Sequence, residues 1–215
     1  MNITILNKLR TPEPQTKKRT AEIAVFTFAF GIILGLFSKW LDNLALDSTI
    51  WWHRIIETLN LGNFFSDIAI WLFIALVIAA YSASALRAAL NVFVFFLGMC
   101  ASYHVSTILF SGFDPGTYML IWYGITLLSP LLAVICWYAK GSGTVPLILD
   151  IGITAVFILS CFSIGILYVD IRGILYVLVF IGVVTVLYRN TKELLVTVLA
   201  GFLLAFLLNP VWPFH

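Results

Sequence analysis

Charged side chains are scarce in this sequence. Lys, Arg, Asp and Glu make up 10% of its 215 residues, whereas 62% are hydrophobic and the mean hydropathy is +1.07. A typical soluble domain is about 25% charged, so a water-soluble chain of this composition could not cover its own surface. The formal net charge of +2 is too small to indicate a nucleic-acid partner. The composition predicts an all-α integral membrane protein.

Cysteine is also rare, and the common catalytic motifs are missing. Cys100, Cys136 and Cys161 lie far apart inside apolar runs, without the close spacing of a zinc or redox site. We interpret them as small hydrophobic residues. The sequence has no phosphate-binding glycine loop, no His-Glu-x-x-His and no Gly-x-Ser-x-Gly. We therefore predict no enzyme activity, no catalytic residues, no metal site and no cofactor.

Long apolar runs are what the sequence does contain. A membrane-spanning helix needs about 20 apolar residues, and breaks with turn residues or charges divide the chain into seven such runs. The predicted spans are 21–40, 66–83, 88–110, 117–139, 145–168, 173–188 and 194–209. We predict a polar N-terminal tail at 1–20 and a single transmembrane domain at 21–215.

The basic residues predict the orientation, because Lys and Arg concentrate in cytoplasmic segments. With the N-terminus in the cytoplasm, nine of the twelve Lys and Arg residues lie on that side. Lys39, Arg54 and Arg172 are the three on the outer side. Seven crossings then place the C-terminus outside.

The last two spans are the shortest, at roughly 24 Å each. A re-entrant hairpin is the alternative to two crossings. It would place Arg189 and Lys192 inside the bilayer, at a cost of roughly 2.5–3.5 kcal/mol each. Local thinning of the bilayer costs less, so we predict seven spans.

The longest connection, 41–65, contains helical periodicity. From Ile50 onward, apolar residues recur at helical spacing, opposite polar residues. The apolar face consists of Trp51, Ile55, Ile56 and Leu59, and the polar face of His53, Arg54 and Glu57. With Ser48 and Thr49 as N-caps, we predict a short amphipathic helix on the outer membrane surface. It is either an interfacial anchor or a cover over an outward-facing cavity.

Asp150 is the most informative single residue. It lies about one and a half turns into the fifth span, where an ionisable side chain is costly and indicates a functional site by default. Thr154 lies on the same helical face, and Asn91 lies at similar depth on the third span. We predict a polar pocket of Asp150, Asn91 and Thr154 with Arg87 or Lys140, for a cation, a proton or a polar solute. The alternatives are a structural pair that includes Asp150 and an Asp150 close enough to the interface to be hydrated.

His104 lies in the outer half of the third span. We predict a hydrogen-bonded interior histidine, or a member of an outer vestibule with Asp67 and Asp170. Pro130, after Ser129 in the fourth span, predicts a helix kink that either opens a cavity or accommodates a neighbouring helix.

Small residues recur every four positions on the first span, at Thr27, Gly31 and Gly35. Such faces let helices approach closely in lipid. We predict that this face packs either inside the protein or against a membrane partner or a second copy of the chain.

Two segments carry a resemblance to known proteins. Residues 85–99 (ALRAALNVFVFFLGM) and 128–141 (LSPLLAVICWYAKG) resemble an uncharacterised family of polytopic membrane proteins from Gram-positive anaerobic bacteria. The resemblance implies a bacterial plasma membrane and supplies no activity or site residues. Size and hydrophobicity are also similar to those of the substrate-binding subunits of energy-coupling-factor vitamin transporters, which usually have six spans.

The function predicted from these features is transport of a small solute or ion, or substrate binding within a transporter. Polar residues at depth in the third to fifth spans favour it. A non-catalytic partner protein for assembly, immunity or sensing is the alternative, favoured by the small-residue face. A membrane enzyme comes third, because the chain has no recognisable catalytic constellation.

Overall fold

A computed structural model describes residues 8–165 and 167–212, which form a helical bundle with one small β-hairpin. In chain order, its elements are α1 (Lys17–Asp42), α2 (Trp51–Thr58), α3 (Leu61–Ser66), α4 (Ile68–Ala80), α5 (Ala85–Ser111), α6 (Gly116–Ala139), α7 (Thr144–Cys161), β1 (Phe162–Ile164), β2 (Val169–Ile171), α8 (Ile174–Leu187) and α9 (Thr191–Leu208), followed by a 3-10 turn at Asn209–Val211.

Five helices of the described part are long and apolar enough to cross a membrane. They are α1, α5, α6, α7, and α9 together with the 3-10 turn. Each helix satisfies its own backbone hydrogen bonds, which the hydrocarbon region demands. The all-α, multi-pass architecture therefore follows from helix length and composition. Helices α4 and α8 are equally apolar but have only 13 and 14 residues, about 20 Å each.

With the short helices α4 and α8 included, successive apolar helices run in opposite directions, so the bundle has two distinct ends. We call the end that carries segment 8–16 the N-terminal face, and the end that carries β1 and β2 the hairpin face. Loops at the N-terminal face touch one another, as where Arg189 donates to the carbonyl of Gly141 at 2.7 Å. At the hairpin face, Tyr103 donates to Asp42 at 2.6 Å.

The fifth predicted span, 145–168, is too long. Helix α7 ends at Cys161, and the antiparallel pairing of β1 with β2 follows. Arg172 donates to the carbonyl of Ser160 at 2.9 Å, which satisfies one of the carbonyls that a helix end leaves unpaired. The remaining 18 residues of α7 still span about 27 Å.

The helix in the long connection begins later than predicted. Ile50 is its N-cap and makes no side-chain cap, while Thr49 donates to Asp47 from both its backbone nitrogen (2.9 Å) and its hydroxyl (2.7 Å). These bonds favour the charged carboxylate and lower the pKa of Asp47. His53, predicted on the polar face, is buried and accepts a hydrogen bond from the backbone nitrogen of Asp47 at 2.8 Å.

Helix α4 lies near the centre of the bundle and contacts α5, α6, α7 and α8. Its Trp71 is fully buried against Phe95 of α5 and Trp122 of α6. Helix α1 packs mainly on α5, and α9 packs mainly on α7. Helix α4 is therefore enclosed by its neighbours, whereas α8 contacts mainly α4 and α7 and exposes Ile174, Leu178 and Ile181. Helices α1 and α9 also leave wide apolar faces exposed.

Segment 8–16 is bound to the N-terminal face. Arg10 donates to the carbonyls of Trp137 (2.8 Å) and Ala80 (2.9 Å), and its guanidinium lies 4.5 Å from the centre of the Trp137 ring. The carbonyl of Leu9 accepts from the backbone nitrogen of Ser142 at 3.0 Å. Arg10 thereby joins the C-terminal ends of α4 and α6, where helix dipoles favour a positive charge.

We expect Arg10→Gln to lower the free energy of unfolding by about 3 kcal/mol, the lower limit for two charged hydrogen bonds to carbonyls at about 1.5–3 kcal/mol each. Lys8→Gln is the matched control, since Lys8 is exposed. The midpoint of thermal unfolding in detergent and the rate of proteolysis within 8–16 would measure the effect. Equal behaviour of the two variants would contradict a binding contribution from Arg10.

Candidate functional site

In the described part of the chain, an apolar cavity of about 290 Å³ lies between α4, α5, α6 and α7 and is open on one side, where Leu132 and Ile148 are exposed. Its walls include Leu76, Phe96, Ile148 and Phe157. The hydroxyl of Ser129 also lines it but is already engaged, because it donates to the carbonyl of Thr126 at 2.8 Å. The cavity therefore offers contact surface to a hydrophobic group and few free hydrogen-bonding groups.

The hydrogen bond from Ser129 compensates for Pro130. Proline has no backbone N–H, so the carbonyl four residues earlier, that of Thr126, loses its helical partner. The Ser129 hydroxyl takes that place, and the Thr126 hydroxyl donates in turn to the carbonyl of Trp122 at 2.8 Å. Helix α6 thus continues through Pro130, and the polar groups freed by the proline do not face the cavity unpaired.

Gly152 gives the cavity part of its volume. It lines the cavity from α7, and a β-carbon built on it would meet no heavy atom within 4 Å. Gly124 on α6 has equally open space at its β-carbon position but does not line this cavity. The two glycines therefore form a matched pair for testing the cavity.

A second cavity, of about 600 Å³, opens at the hairpin face. Its lining is mixed and includes Asn63, Asp67 and Arg172. Arg172 and Asp67 form an ion pair with a 2.8 Å separation, and the hydroxyl of Tyr176 donates to Asp67 at 3.1 Å. This cavity can receive a polar or charged group, in contrast to the apolar one.

One face of α6 connects the two cavities. Residues at helical spacing along it line the polar cavity first and the apolar cavity next. In order from the hairpin face they are Tyr118, Trp122, Ile125, Ser129, Leu132 and Cys136. Ile125 lines both cavities, so an amphiphilic solute on this face would have its polar group near Asp67 and its apolar part between the helices.

Asp150 is buried, with 2% of its side chain exposed, and forms an ion pair with Arg189. Arg189 also donates to the carbonyl of Gly141, and its Nε lies 2.9 Å from Oε2 of Glu193 without hydrogen-bond geometry. Lys140 lies within electrostatic range of Asp150. The charge of Asp150 is therefore compensated inside the bundle.

The space beside Asp150 is small. The cavity there has a volume of about 10 Å³ and is lined by Asp150, Thr154, Arg189, Glu193 and Thr197, among others. A cavity must offer about 10–15 Å³ to hold even one water molecule. Oδ1 of Asp150 has no hydrogen-bond partner among the described residues, but the cavity beside it is too small for an organic solute.

The structure divides the predicted polar pocket. Thr154 lies beside Asp150, whereas the amide of Asn91 donates to the hydroxyl of Ser82 at 3.1 Å. Arg87 donates to the carbonyls of Glu13 and Gln15. In the described ranges, no hydrogen bond or ion pair joins Asn91 or Arg87 to Asp150. The helices that supply these residues, α5 and α7, pack mainly on other helices, so their side chains have different partners.

Lys140 and His104 have partners of their own. The ammonium of Lys140 donates to the carbonyl of Val186 and lies 5.1 Å from the ring centre of Tyr81. His104 lies between Tyr123, 2.7 Å from Nδ1, and Asp114, 2.9 Å from Nε2. Asp67, expected in the same vestibule, pairs with Arg172 instead. In the described residues, no group of three His, Cys, Asp or Glu side chains could hold a metal ion.

The small-residue face of α1 packs against α5. A β-carbon at Gly31 would collide with the carbonyl oxygen of Phe95, and one at Gly35 with that of Met99. Thr27 is buried and donates to carbonyls of its own helix. Helix α5 thus covers the surface that a partner would need.

Two residues of the site escaped prediction from the sequence, Arg189 and Gly152. Arg189 lies in the short turn before α9, 39 positions from Asp150. The predicted spans place Arg189 and Asp150 near the same membrane face. That shared depth was the only sequence feature that could have indicated their pairing. No sequence feature marked Gly152, because the sequence does not distinguish a helical glycine that lines a cavity from other helical glycines.

Comparison of the chain with protein-family models, with curated proteins and with solved structures finds no match. No residue role is therefore transferred from another protein, and the proposals below rest on the geometry of this chain.

Proposed function

We propose that this protein binds a small, largely apolar or amphiphilic solute within the membrane, as a transporter or as the substrate-binding subunit of one. The observation that carries the proposal is the apolar cavity of about 290 Å³ between α4 and α7. Ligand sites are typically concave, mostly apolar and about 300–1,000 Å³ in volume. The cavity lies at the lower limit of that range.

The size and lining of the cavity narrow the solute class. An apolar protein cavity of about 150 Å³ holds one benzene molecule, so the space here suits a bicyclic ring system or a short acyl chain. A fully polar solute would lose its hydration without gaining hydrogen bonds. The mixed cavity at the hairpin face, with the Asp67–Arg172 ion pair, would receive a polar substituent of the same solute. The polar solute or cation predicted at Asp150 has less support, because Arg189 already occupies that carboxylate.

The number of membrane crossings and the orientation of the chain are also proposals. We propose seven crossings in a bacterial plasma membrane, in which α4 crosses enclosed by its neighbours and α8 crosses beside α4 and α7. The N-terminal face would be cytoplasmic, because Lys and Arg concentrate there. Helix α2 would lie on the outer surface with Trp51 among the lipid headgroups.

The alternative function, a non-catalytic membrane partner, has less support. It depended on the face of Thr27, Gly31 and Gly35, and α5 covers that face. The proposal for solute binding includes no chemical step, and the described residues that line the apolar cavity include no Asp, Glu, His, Lys or Arg.

A thermal-shift screen with cavity variants tests the proposal. The purified protein is heated in detergent with naphthalene, indole, octanoate, nucleosides, amino acids and monovalent cations. A ligand present at about 100 times its Kd stabilises the native state by about 2.7 kcal/mol. We expect an apolar or amphiphilic compound to raise the unfolding temperature of the wild type, and Gly152→Phe to abolish that rise by filling the cavity.

Gly124→Phe is the matched control and should keep the full response, because its side chain enters open space outside the cavity. An equal response in Gly152→Phe would contradict the proposed site. A response to cations or polar solutes alone, removed by Asp150→Asn, would move the site to Asp150. A complete lack of response would contradict solute binding.

A further inference from the structure

A groove on the N-terminal half of the bundle combines cationic side chains with an apolar floor. Its volume is about 680 Å³, and it runs between α1 and α5. Lys17 and Arg87 line the end of the groove nearer the N-terminal face. Leu90, Phe93 and Pro130 line its floor, nearer the middle of the bundle. Phe93 is six residues beyond Arg87, about 9 Å along the helix axis. The floor therefore lies at the depth of acyl chains when the cations lie at the membrane surface.

The two cations are not neutralised by the protein. In residues 8–165 and 167–212, neither Lys17 nor Arg87 forms an ion pair with a carboxylate. Arg87 is instead held by the carbonyl oxygens of Glu13 (3.2 Å) and Gln15 (2.8 Å). These bonds use two of its five N–H donors. The guanidinium is thus fixed at the end of the groove nearer the N-terminal face. Its remaining N–H donors and its charge are available to a ligand.

We propose that this groove binds a phospholipid with an anionic headgroup. The phosphate would lie between Lys17 and Arg87, and one acyl chain would follow Leu90 and Phe93 down to Pro130. Basic pockets between membrane helices commonly recognise anionic headgroups. A soluble phosphate compound would match the cations but leave the apolar floor uncovered, whereas a zwitterionic lipid would match the floor but leave the charge uncompensated.

Native mass spectrometry of the detergent-purified protein tests the proposal with phosphatidylglycerol and phosphatidylcholine of identical chains. Basic residues near the membrane surface favour anionic lipids, so we expect at least a tenfold preference for phosphatidylglycerol. Lys17→Gln with Arg87→Gln should abolish the preference. Arg54→Gln with Lys192→Gln is the control, because Arg54 also donates to a backbone carbonyl and neither residue lines the groove.

A second variant separates the lipid from a soluble phosphate and does not alter charge. Ala21 is exposed and lines the groove, so Ala21→Phe should fill the floor without disturbing the fold. We expect it to weaken phosphatidylglycerol binding about tenfold. Equal binding of the two lipids, or a preference that survives Lys17→Gln with Arg87→Gln, would overturn the proposal. So would phosphatidylglycerol binding that Ala21→Phe leaves unchanged, or glycerol 1-phosphate binding as tightly as the lipid. Because the groove is separate from the solute cavity, these outcomes do not depend on the function proposed above.

Discussion

Replacing Arg189 with glutamine is expected to lower the free energy of unfolding by about 3–5 kcal/mol, the usual effect of removing one partner of a buried ion pair. The remaining partner, Asp150, is 2% exposed and lies within α7. Its carboxylate would keep the cost of its burial and lose the guanidinium that compensates it. The glutamine amide could still donate to the carbonyl of Gly141, so the loss would come mainly from the unpaired charge.

A double-mutant cycle separates that charge effect from loss of packing. Asp150→Asn combined with Arg189→Gln leaves two neutral amides, so the double variant should be more stable than Arg189→Gln alone. Lys192→Gln is the matched control, because Lys192 is an exposed cation three positions away and should change stability by about 0.5 kcal/mol or less. Reversible unfolding in mixed micelles would measure all four proteins. If Arg189→Gln behaved like Lys192→Gln, the ion pair would contribute nothing to the fold.

The second large effect is expected at the contact between α1 and α5. Gly31→Val should lower the free energy of unfolding by about 3 kcal/mol, the upper part of the usual range for overpacking. The new β-carbon would collide with the carbonyl oxygen of Phe95, which belongs to a helix backbone and cannot rotate away. The approach is close from both sides, since a β-carbon at Gly98 of α5 would lie 2.5 Å from the carbonyl oxygen of Phe28.

Gly124→Val is the control for this second prediction. It makes the same chemical change within a long membrane helix, but its β-carbon meets open space. We expect it to be neutral or slightly stabilising, because glycine is a poor helix former. Comparable destabilisation by the two substitutions would show that α1 does not approach α5 closely. A stable Gly31→Val variant that lost a co-purifying protein would instead support the partner function.

The sequence was informative about Asp150 and incomplete about its surroundings. Its depth in an apolar run marked it as costly and in need of a partner. The candidates, Asn91, Arg87 and Lys140, were chosen for similar depth, and of these only Lys140 lies within electrostatic range. Arg189 is the partner because α8 returns the chain to the N-terminal face beside α7. Depth is a local property of one helix, whereas adjacency depends on how the helices pack.

Some helix ends could be predicted from the sequence, whereas others depend on tertiary contacts. The sequence indicated where apolar runs stop, as between the predicted spans 88–110 and 117–139 and at the charged turn before α9. The end of α7 at Cys161 was not, because residues 162–168 remain apolar. That helix stops where the hairpin pairs Phe162 with Ile171 and where Arg172 reaches the carbonyl of Ser160. Both contacts come from residues further along the chain.

The sequence by itself determined the class of protein, because hydrophobicity and run length must match the bilayer whatever the arrangement of helices. It also determined that the first span carries a face for close packing. Only the tertiary structure decided that α5 covers this face, that Arg189 compensates Asp150, and that a cavity remains beside Gly152. Lipid provides no hydrophobic force between helices, so their pairing follows from van der Waals fit and a few polar contacts. Those contacts join side chains far apart in the sequence, and no local pattern records them.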